Sequence, residues 1–222
     1  MTMNLEQARH NMIEQQIRPW DVLDNDVLKT LVAVRREDFV PSAYRSLAFV
    51  DTEIPLPCGQ SMLSPKVEAR LLQEATLIGD ERVLEIGTGS GYMAALLARH
   101  AAHVVTVEIE PELKALAEHN LKAYGINNVS VETGDGARGW SGNNHSATFD
   151  VIVLSGSVPV LPEALLTQVR VGGRILAVIG EAPVMSACLI TRTADDAWDT
   201  QKLFETSIPP LRNAVKPSAF RF

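Results

Sequence analysis

Apolar positions recur along this chain with two different spacings, and the change comes near residue 81. Before it the pattern is helical. Residues 4–17 read as a polar helix with Met12, Ile13 and Ile17 as packing positions, stopped by Pro19, which lacks a donor and crowds the preceding turn. Residues 24–34 read as a second helix, with Asp24 as N-cap and Val27, Leu28, Leu31 and Val32 as its apolar stripe. Residues 35–44 form a charged connection, and the prolines of 50–59 predict an extended, irregular segment. A third helix spans Pro65–Ala75, capped by Ser64, with Val67, Leu71 and Leu72 facing the core. After residue 81 short apolar runs alternate with helical stripes. Strands are expected at Arg82–Ile86, 104–107, 129–131, Phe149–Leu154 and 174–179, with helices at 92–99, 111–124 and 162–169 between them and a turn at Gly172-Gly173. That alternation predicts a doubly wound, parallel α/β sheet. Residues 188–193 and 198–206 then read as an antiparallel hairpin joined by Ala194-Asp195-Asp196, for seven strands in all.

Composition narrows the class. A chain of 222 residues, 46% hydrophobic, suits one α/β domain: a helical attachment at 1–50, a substrate-side loop and helix at 51–80, a cofactor-binding core at 81–180, and a hairpin and tail at 181–222. The net charge of -7, without any basic run, argues against a nucleic-acid partner. Cys58 and Cys188 make no disulfide framework, and His10, His100, His103, His119 and His145 show no ligand spacing, so no metal is expected. No apolar stretch approaches the ~20 residues of a membrane span, and residues 1–16 hold no signal-like apolar run. A cytoplasmic protein is expected, and a monomer.

Chemistry concentrates in 83–91. An apolar run carries Glu85, and Gly87-Thr88-Gly89-Ser90-Gly91 follows before a helix begins. Glycines permit a tight turn and close approach of backbone to a ligand, and the helix N-terminus adds free N–H groups. Glu108 closes the next strand, where a carboxylate accepts from ribose hydroxyls, and Asp135 lies between Gly134 and Gly136 after the third, placed for an adenine amino group or an Asx turn. All three acids lie at carboxyl ends of adjacent strands. Dinucleotide enzymes use Gly-x-Gly-x-x-Gly to seat a pyrophosphate. Here the third glycine comes one step early and an acid precedes the first, a form that resembles the first motif of S-adenosylmethionine-dependent methyltransferases.

A closer resemblance runs over about 11–211. Residues 36–41 (Arg-Glu-Asp-Phe-Val-Pro), Ile54-Pro55, Gly59-Gln60, 83–92, Gly134-Asp135-Gly136 with Gly139-Trp140, and 161–180 resemble the protein-L-isoaspartate O-methyltransferase family. The resemblance implies a class I, Rossmann-like methyltransferase fold. It implies S-adenosyl-L-methionine as cofactor and S-adenosyl-L-homocysteine as product, held by Glu85, Gly87, Thr88, Gly89, Ser90, Gly91, Tyr92, Glu108, Ile109, Asp135 and Gly136. It implies an isoaspartyl-containing protein or peptide as partner. An isoaspartyl carboxylate is ionised near neutral pH, so it attacks a sulfonium methyl without a general base. The family's loop reads Gly-Gln-Thr-Ile-Ser, and ungapped spacing from Pro65 to Glu85 puts Leu63 at its active-site serine. Ser61 and Ser64 are the hydroxyls left as catalytic candidates. Residues 154–159 also depart from the family's Thr-Ala-Ala-Pro type. A different acceptor, or a weakened adaptor, are the alternative readings. Cys58 is expected as a small buried residue, and Arg212 as a solvated tail residue unless the tail folds over the site.

Overall fold

The computed structural model describes residues 4–140, 142 and 148–216, so His145 and the chain after 216 lie outside the described residues. Helix α1 spans Leu5–Met12, with the Asn4 side chain accepting from the Gln7 amide. The winding does not stop at Pro19. It widens to a π-turn over Ile13–Ile17, which keeps both isoleucines buried, and tightens to a 3-10 turn over Arg18–Trp20. Pro19 sits in the first positions of that last turn, where a missing N–H removes no bond. Helix α2 is Asn25–Ala33, and Asp24 caps it by accepting from the Asp26 and Val27 amides. Val27, Leu28 and Leu31 are buried, but Val32 is 54% exposed: the apolar arc is one residue narrower than its spacing suggests.

Residues 54–62 are more regular than their prolines predict. Ile54–Pro55 (β1) and Ser61–Met62 (β2) pair antiparallel around a 3-10 turn over Pro57–Gly59. Helix α3 follows at Pro65–Ala75. Ser64 occupies its N-cap, but only the main-chain carbonyl serves, accepting from Val67 and Glu68, and the hydroxyl caps nothing.

The sheet has seven strands: β3 (Arg82–Ile86), β4 (His103–Glu108), β5 (Val129–Thr133), β6 (Phe149–Leu154), β7 (Val169–Glu181), β8 (Val184–Ala194) and β9 (Ala197–Glu205), in the order β5-β4-β3-β6-β7-β8-β9. The first five are parallel, and β7-β8-β9 are antiparallel. Helices α4 (Tyr92–Ala98), α5 (Pro111–Ala123) and α6 (Glu163–Gln168) connect them. Gly172-Gly173 is not a turn between elements. It lies inside β7 as a bulge, where Val169 faces Phe149 but Arg174 already faces Val151. Gly172 takes φ +81°, and a Cβ on Gly173 would stand 2.6 Å from the Asp150 carbonyl, so the backbones meet too closely for a side chain.

Alternation along the central strands divides the interior. Val83, Val104, Val151 and Val153 join the N-terminal helices, α3 and α4 in one cluster, whereas Leu84, Ile86, Val105, Val107, Ile152 and Leu154 pack with α6 in the other. Glu85 shares the face of Val83 and so enters the sheet beneath α3 and α4. Among the described residues no helix is long and apolar enough to cross a membrane.

Candidate active site

Strand order reverses between β4 and β6 on either side of β3, and ligands in such sheets bind outside the carboxyl ends at that crevice. Gly87 donates to the Val107 carbonyl at 2.9 Å and Ser155 to the Ile86 carbonyl at 2.9 Å, which seats the glycine turn over the switch point. Gly87, Gly89 and Gly91 all adopt positive φ, +96°, +55° and +83°. Gly91 also serves packing. A Cβ there would stand 3.2 Å from Ala117, so its absence lets α5 approach the start of α4.

Two cavities open around this turn. The outer cleft encloses about 620 Å³ of empty space, open solvent at its mouth included, and is lined by Gly87, Gly89, Glu108, Ile109, Gly134, Asp135, Gly136 and Ser155, with Gln60, Ser61 and Leu63 on one wall and Leu211 and Arg212 on another. The inner cavity is lined by Glu85, Thr88, Ser90 and Tyr92, together with Glu68 and Met62. The structure thus brings ten of the eleven expected cofactor residues to one or the other space, and Gly91 to neither. Glu108 is buried, its two oxygens accepting from the Gly89 amide at 2.9 Å and the Glu110 amide at 3.0 Å. Asp135 closes an Asx turn on the Ala137 amide at 3.0 Å, and its other oxygen accepts from Asn213 at 2.9 Å.

Glu85 is fully buried. In register with Thr106 on β4, it accepts from that hydroxyl at 2.7 Å, and its second oxygen accepts from Ser155 Oγ at 2.7 Å. Burial pushes the Glu85 carboxyl up to about 8, although both hydroxyls favour its charged form. Glu68 meets the same penalty: burial raises it to about 7, against its pairing with Arg36.

On the opposite wall the extended chain of 61–63 alternates its side chains, so Ser61 and Leu63 line the outer cleft and Ser64 lines neither cavity. Of the two hydroxyl candidates, only Ser61 is at the site, and it donates to Glu53 at 3.2 Å. Leu63 is buried, and its carbonyl accepts from Arg36 Nη2 at 2.7 Å. Arg36 is wholly buried, holds the Ala48 carbonyl at 3.1 Å, pairs with Glu68 and lies 5.3 Å from the Tyr92 ring centroid.

The tail does fold over the site. Ser157 and residues 209–211 exchange main-chain bonds at 2.9 Å, which lays Leu211 over the glycine turn. A Cβ on Gly156 would stand 2.8 Å from Leu211 Cδ2, so the strap fits because that side chain is missing. Arg212 pairs with Glu110, donates to the Cys58 carbonyl, and approaches the Gln60 amide oxygen at 3.0 Å. Cys58 is not buried. It is half-exposed in the left-handed region at φ +58°, and partial desolvation together with Glu112, 3.4 Å from its sulfur, raises the thiol rather than activating it.

Among the described residues no His/Cys/Asp/Glu group is arranged to hold a metal. His100 and His103 are bonded locally, to Thr30 at 2.7 Å and Ser130 at 3.0 Å. Arg36, Ser155 and Leu211 are the site residues that sequence reasoning did not place. Arg36 stood in the run 36–41, and Ser155 in the departure at 154–159.

A family model described as protein-L-isoaspartate(D-aspartate) O-methyltransferase matches residues 7–215. A protein-L-isoaspartate O-methyltransferase of Koribacter versatilis is 39% identical over 207 residues, 93% of this chain and 90% of the relative. One from Rhodopseudomonas palustris is 39% identical over 204 residues, 91% of this chain and 82% of the relative. Among solved structures, a proposed protein-L-isoaspartate O-methyltransferase of Plasmodium falciparum in complex with S-adenosyl-L-homocysteine has TM-score 0.78 at 20% identity, covering 95% of this chain and 99% of that one. A second structure, of a protein-L-isoaspartate O-methyltransferase, has TM-score 0.76 at 25% identity, covering 93% of this chain and 65% of that longer one.

Proposed function

Because the chain belongs to the protein-L-isoaspartate(D-aspartate) O-methyltransferase family, we propose that the outer cleft holds the methyl donor along its strand-end wall and admits the isoaspartyl acceptor past Gln60, Ser61 and Leu63. The activity is S-adenosylmethionine-dependent methylation of the isoaspartyl carboxylate. When bound, S-adenosyl-L-methionine supplies a methyl group on a cationic sulfonium and leaves as S-adenosyl-L-homocysteine.

The chain's own residues suit that donor. Glu108 and Asp135 bring two acids to the cleft at the ends of adjacent strands, and Arg212, the one cation among the described residues lining it, is paired with Glu110. Such a lining suits a positive ligand without phosphate. Ile86, Val107, Ile109, Leu113 and Leu211 supply apolar wall for a flat ring. Glu108 and Asp135 would accept from the sugar and base ends, each giving up one of its present partners. Gly87 and Gly89 let the main chain approach without side chains between.

The acceptor carboxylate ionises at about pH 4 and carries its own nucleophilic electrons. The protein therefore has to align two reactants and keep water away, which Leu63 and Leu211 do from facing walls. The partner is a protein or peptide bearing the isoaspartyl residue; the net charge of -7, without a basic run in the sequence, disfavours nucleic acid. The observation that carries this reading is the acid-lined glycine turn facing the Gln60–Leu63 wall across one cleft. Incubation with labelled S-adenosyl-L-methionine and matched isoaspartyl and aspartyl peptides tests it. Methyl ester forms on the isoaspartyl peptide alone; label on neither peptide, or equally on both, overturns the reading.

A further inference from the structure

Five residues line both cavities: Ser61, Leu63, Gly87, Gly89 and Ser155. They mark the junction of the two cavities, which on the reading above is where donor and acceptor meet. Leu63 and the two glycines offer no side-chain donor there, which leaves two hydroxyls. Ser61 directs its proton to Glu53, a residue that lines neither cavity. Ser155 bonds instead to Glu85, which lines the inner cavity behind the junction.

We propose that the Ser155 hydroxyl holds one oxygen of the acceptor carboxylate, a role for which Leu63 has no group, and that Glu85 is a positioning residue acting through Ser155. The proposal rests on the isoaspartyl reading above. Ser155 suits this role because its backbone is pinned to β3 at the switch point, by the bond from its amide to the Ile86 carbonyl. Its Cβ lies where a Cβ on Gly87 would be 3.6 Å away, so the hydroxyl stands beside the glycine turn.

Glu85 decides where the Ser155 proton points. An ionised Glu85 accepts from Ser155, and the hydroxyl turns inward. A protonated Glu85 donates to Ser155 Oγ, and the Ser155 proton turns outward to the cleft. The surroundings favour the second arrangement. Glu108 from β4 and Glu68 from α3 face Glu85 with negative charge, and Arg36, the nearby cation, is engaged by Glu68. Thr106 holds the other oxygen and is itself bonded to Thr88 at 2.7 Å, so the carboxyl cannot swing away. No covalent bond to Ser155 forms or breaks; the hydroxyl contributes a hydrogen bond to the anion and nothing else.

Ser155→Ala and Ser155→Thr test this, assayed with an isoaspartyl peptide and, separately, by calorimetry with S-adenosyl-L-homocysteine. Ser155→Ala lowers kcat/KM roughly 10–100-fold, the loss of one bond to a charged group. Its affinity for S-adenosyl-L-homocysteine stays within about threefold of wild type. Ser155→Thr restores most of the activity. Wild-type kcat/KM declines above about pH 8, where Glu85 gives up its proton, and Ser155→Ala shows no such decline. Unchanged kcat/KM in Ser155→Ala, equal loss of activity and of S-adenosyl-L-homocysteine affinity, or a loss seen in Ser61→Ala instead, overturns the proposal. A wild type that binds S-adenosyl-L-homocysteine but leaves the isoaspartyl peptide unmethylated overturns the isoaspartyl reading, and this proposal with it.

Discussion

The guanidinium of Arg36 donates to the main-chain carbonyl of Leu63 at 2.7 Å, across 27 positions of sequence. Leu63 is thus held by its backbone, from inside the core, whatever side chain it carries. Arg36 also pairs with Glu68 on α3, so the Gln60–Leu63 wall of the cleft and the helix behind it share one buried charge pair.

Arg36→Met leaves Glu68 buried without its partner. Removing one member of a buried pair costs about 3–5 kcal/mol, whereas replacing both with apolar residues is often near neutral. Chemical denaturation is expected to show that loss in Arg36→Met and recovery of most of it in Arg36→Met/Glu68→Leu. The double variant keeps a lowered kcat/KM, because the Leu63 carbonyl has still lost its donor. Full activity in the double variant would show that Arg36 only stabilises the fold.

Glu85 makes the fold sensitive to base. Its carboxyl is raised to about 8 in the folded chain, so between the usual carboxylate range and that value the folded state holds a proton that the unfolded state has released. Stability therefore falls as pH rises through that window. Glu68, raised to about 7, adds the same sign over the lower part of it. Thermal melts at pH 6 and pH 9 measure the difference, which Glu85→Gln is expected to shrink. A wild type equally stable at both pH values refutes this.

Gly156→Val puts side-chain atoms where Leu211 now sits, since even a Cβ comes within 2.8 Å of Leu211 Cδ2. Overpacking at a fitted contact costs about 1–3 kcal/mol, and lifting the strap away is the easier response. Arg212 then becomes an accessible tryptic site. Limited trypsin digestion followed by mass spectrometry is expected to show faster cleavage after Arg212 in the variant than in wild type.

Leu63→Ser exchanges a buried isobutyl group for a hydroxyl at the junction. Shortening a buried leucine costs about 2–5 kcal/mol, and this site falls at the lower end because one side faces a cleft. In a Ser155→Ala background the same change is expected to return part of the lost kcat/KM, and Leu63→Ala is expected to return none. Peptide methylation by the two double variants decides it.

Much of the sheet was legible because its signals are local. β3, β4, β6 and β7 each carry an apolar run, β3 closed by Gly87 and β4 by Glu108, and the helices between carry their own stripes and stops. Glu85, Glu108 and Asp135 were legible for the same reason: strand-end positions follow directly from the alternation. Residues 54–62 were not, because proline masks a pairing that two residues on each side suffice to make. Gly172-Gly173 reads as a turn in one dimension and is a bulge only because β6 lies beside it. The acceptor side was least legible. Ser64 looks interchangeable with Ser61 until the alternation of an extended chain turns it away, and Ser155 gains its meaning from a partner 70 positions earlier.

The strap over the glycine turn also carries a consequence for synthesis. Arg212 reaches back 154 positions to Cys58 and 102 to Glu110. At ribosomal rates of about 5–20 residues per second, residue 212 is added roughly 4–15 seconds after Asp135, the last acid lining the cleft. β6 to β9 are added within that interval, so the groove lined by Leu63, Ile86 and Ile109 is built before its cover is. A nascent chain of this protein is thus most open to premature ligand capture or to chaperones late in translation, when the sheet is nearly complete and its cover is not yet made.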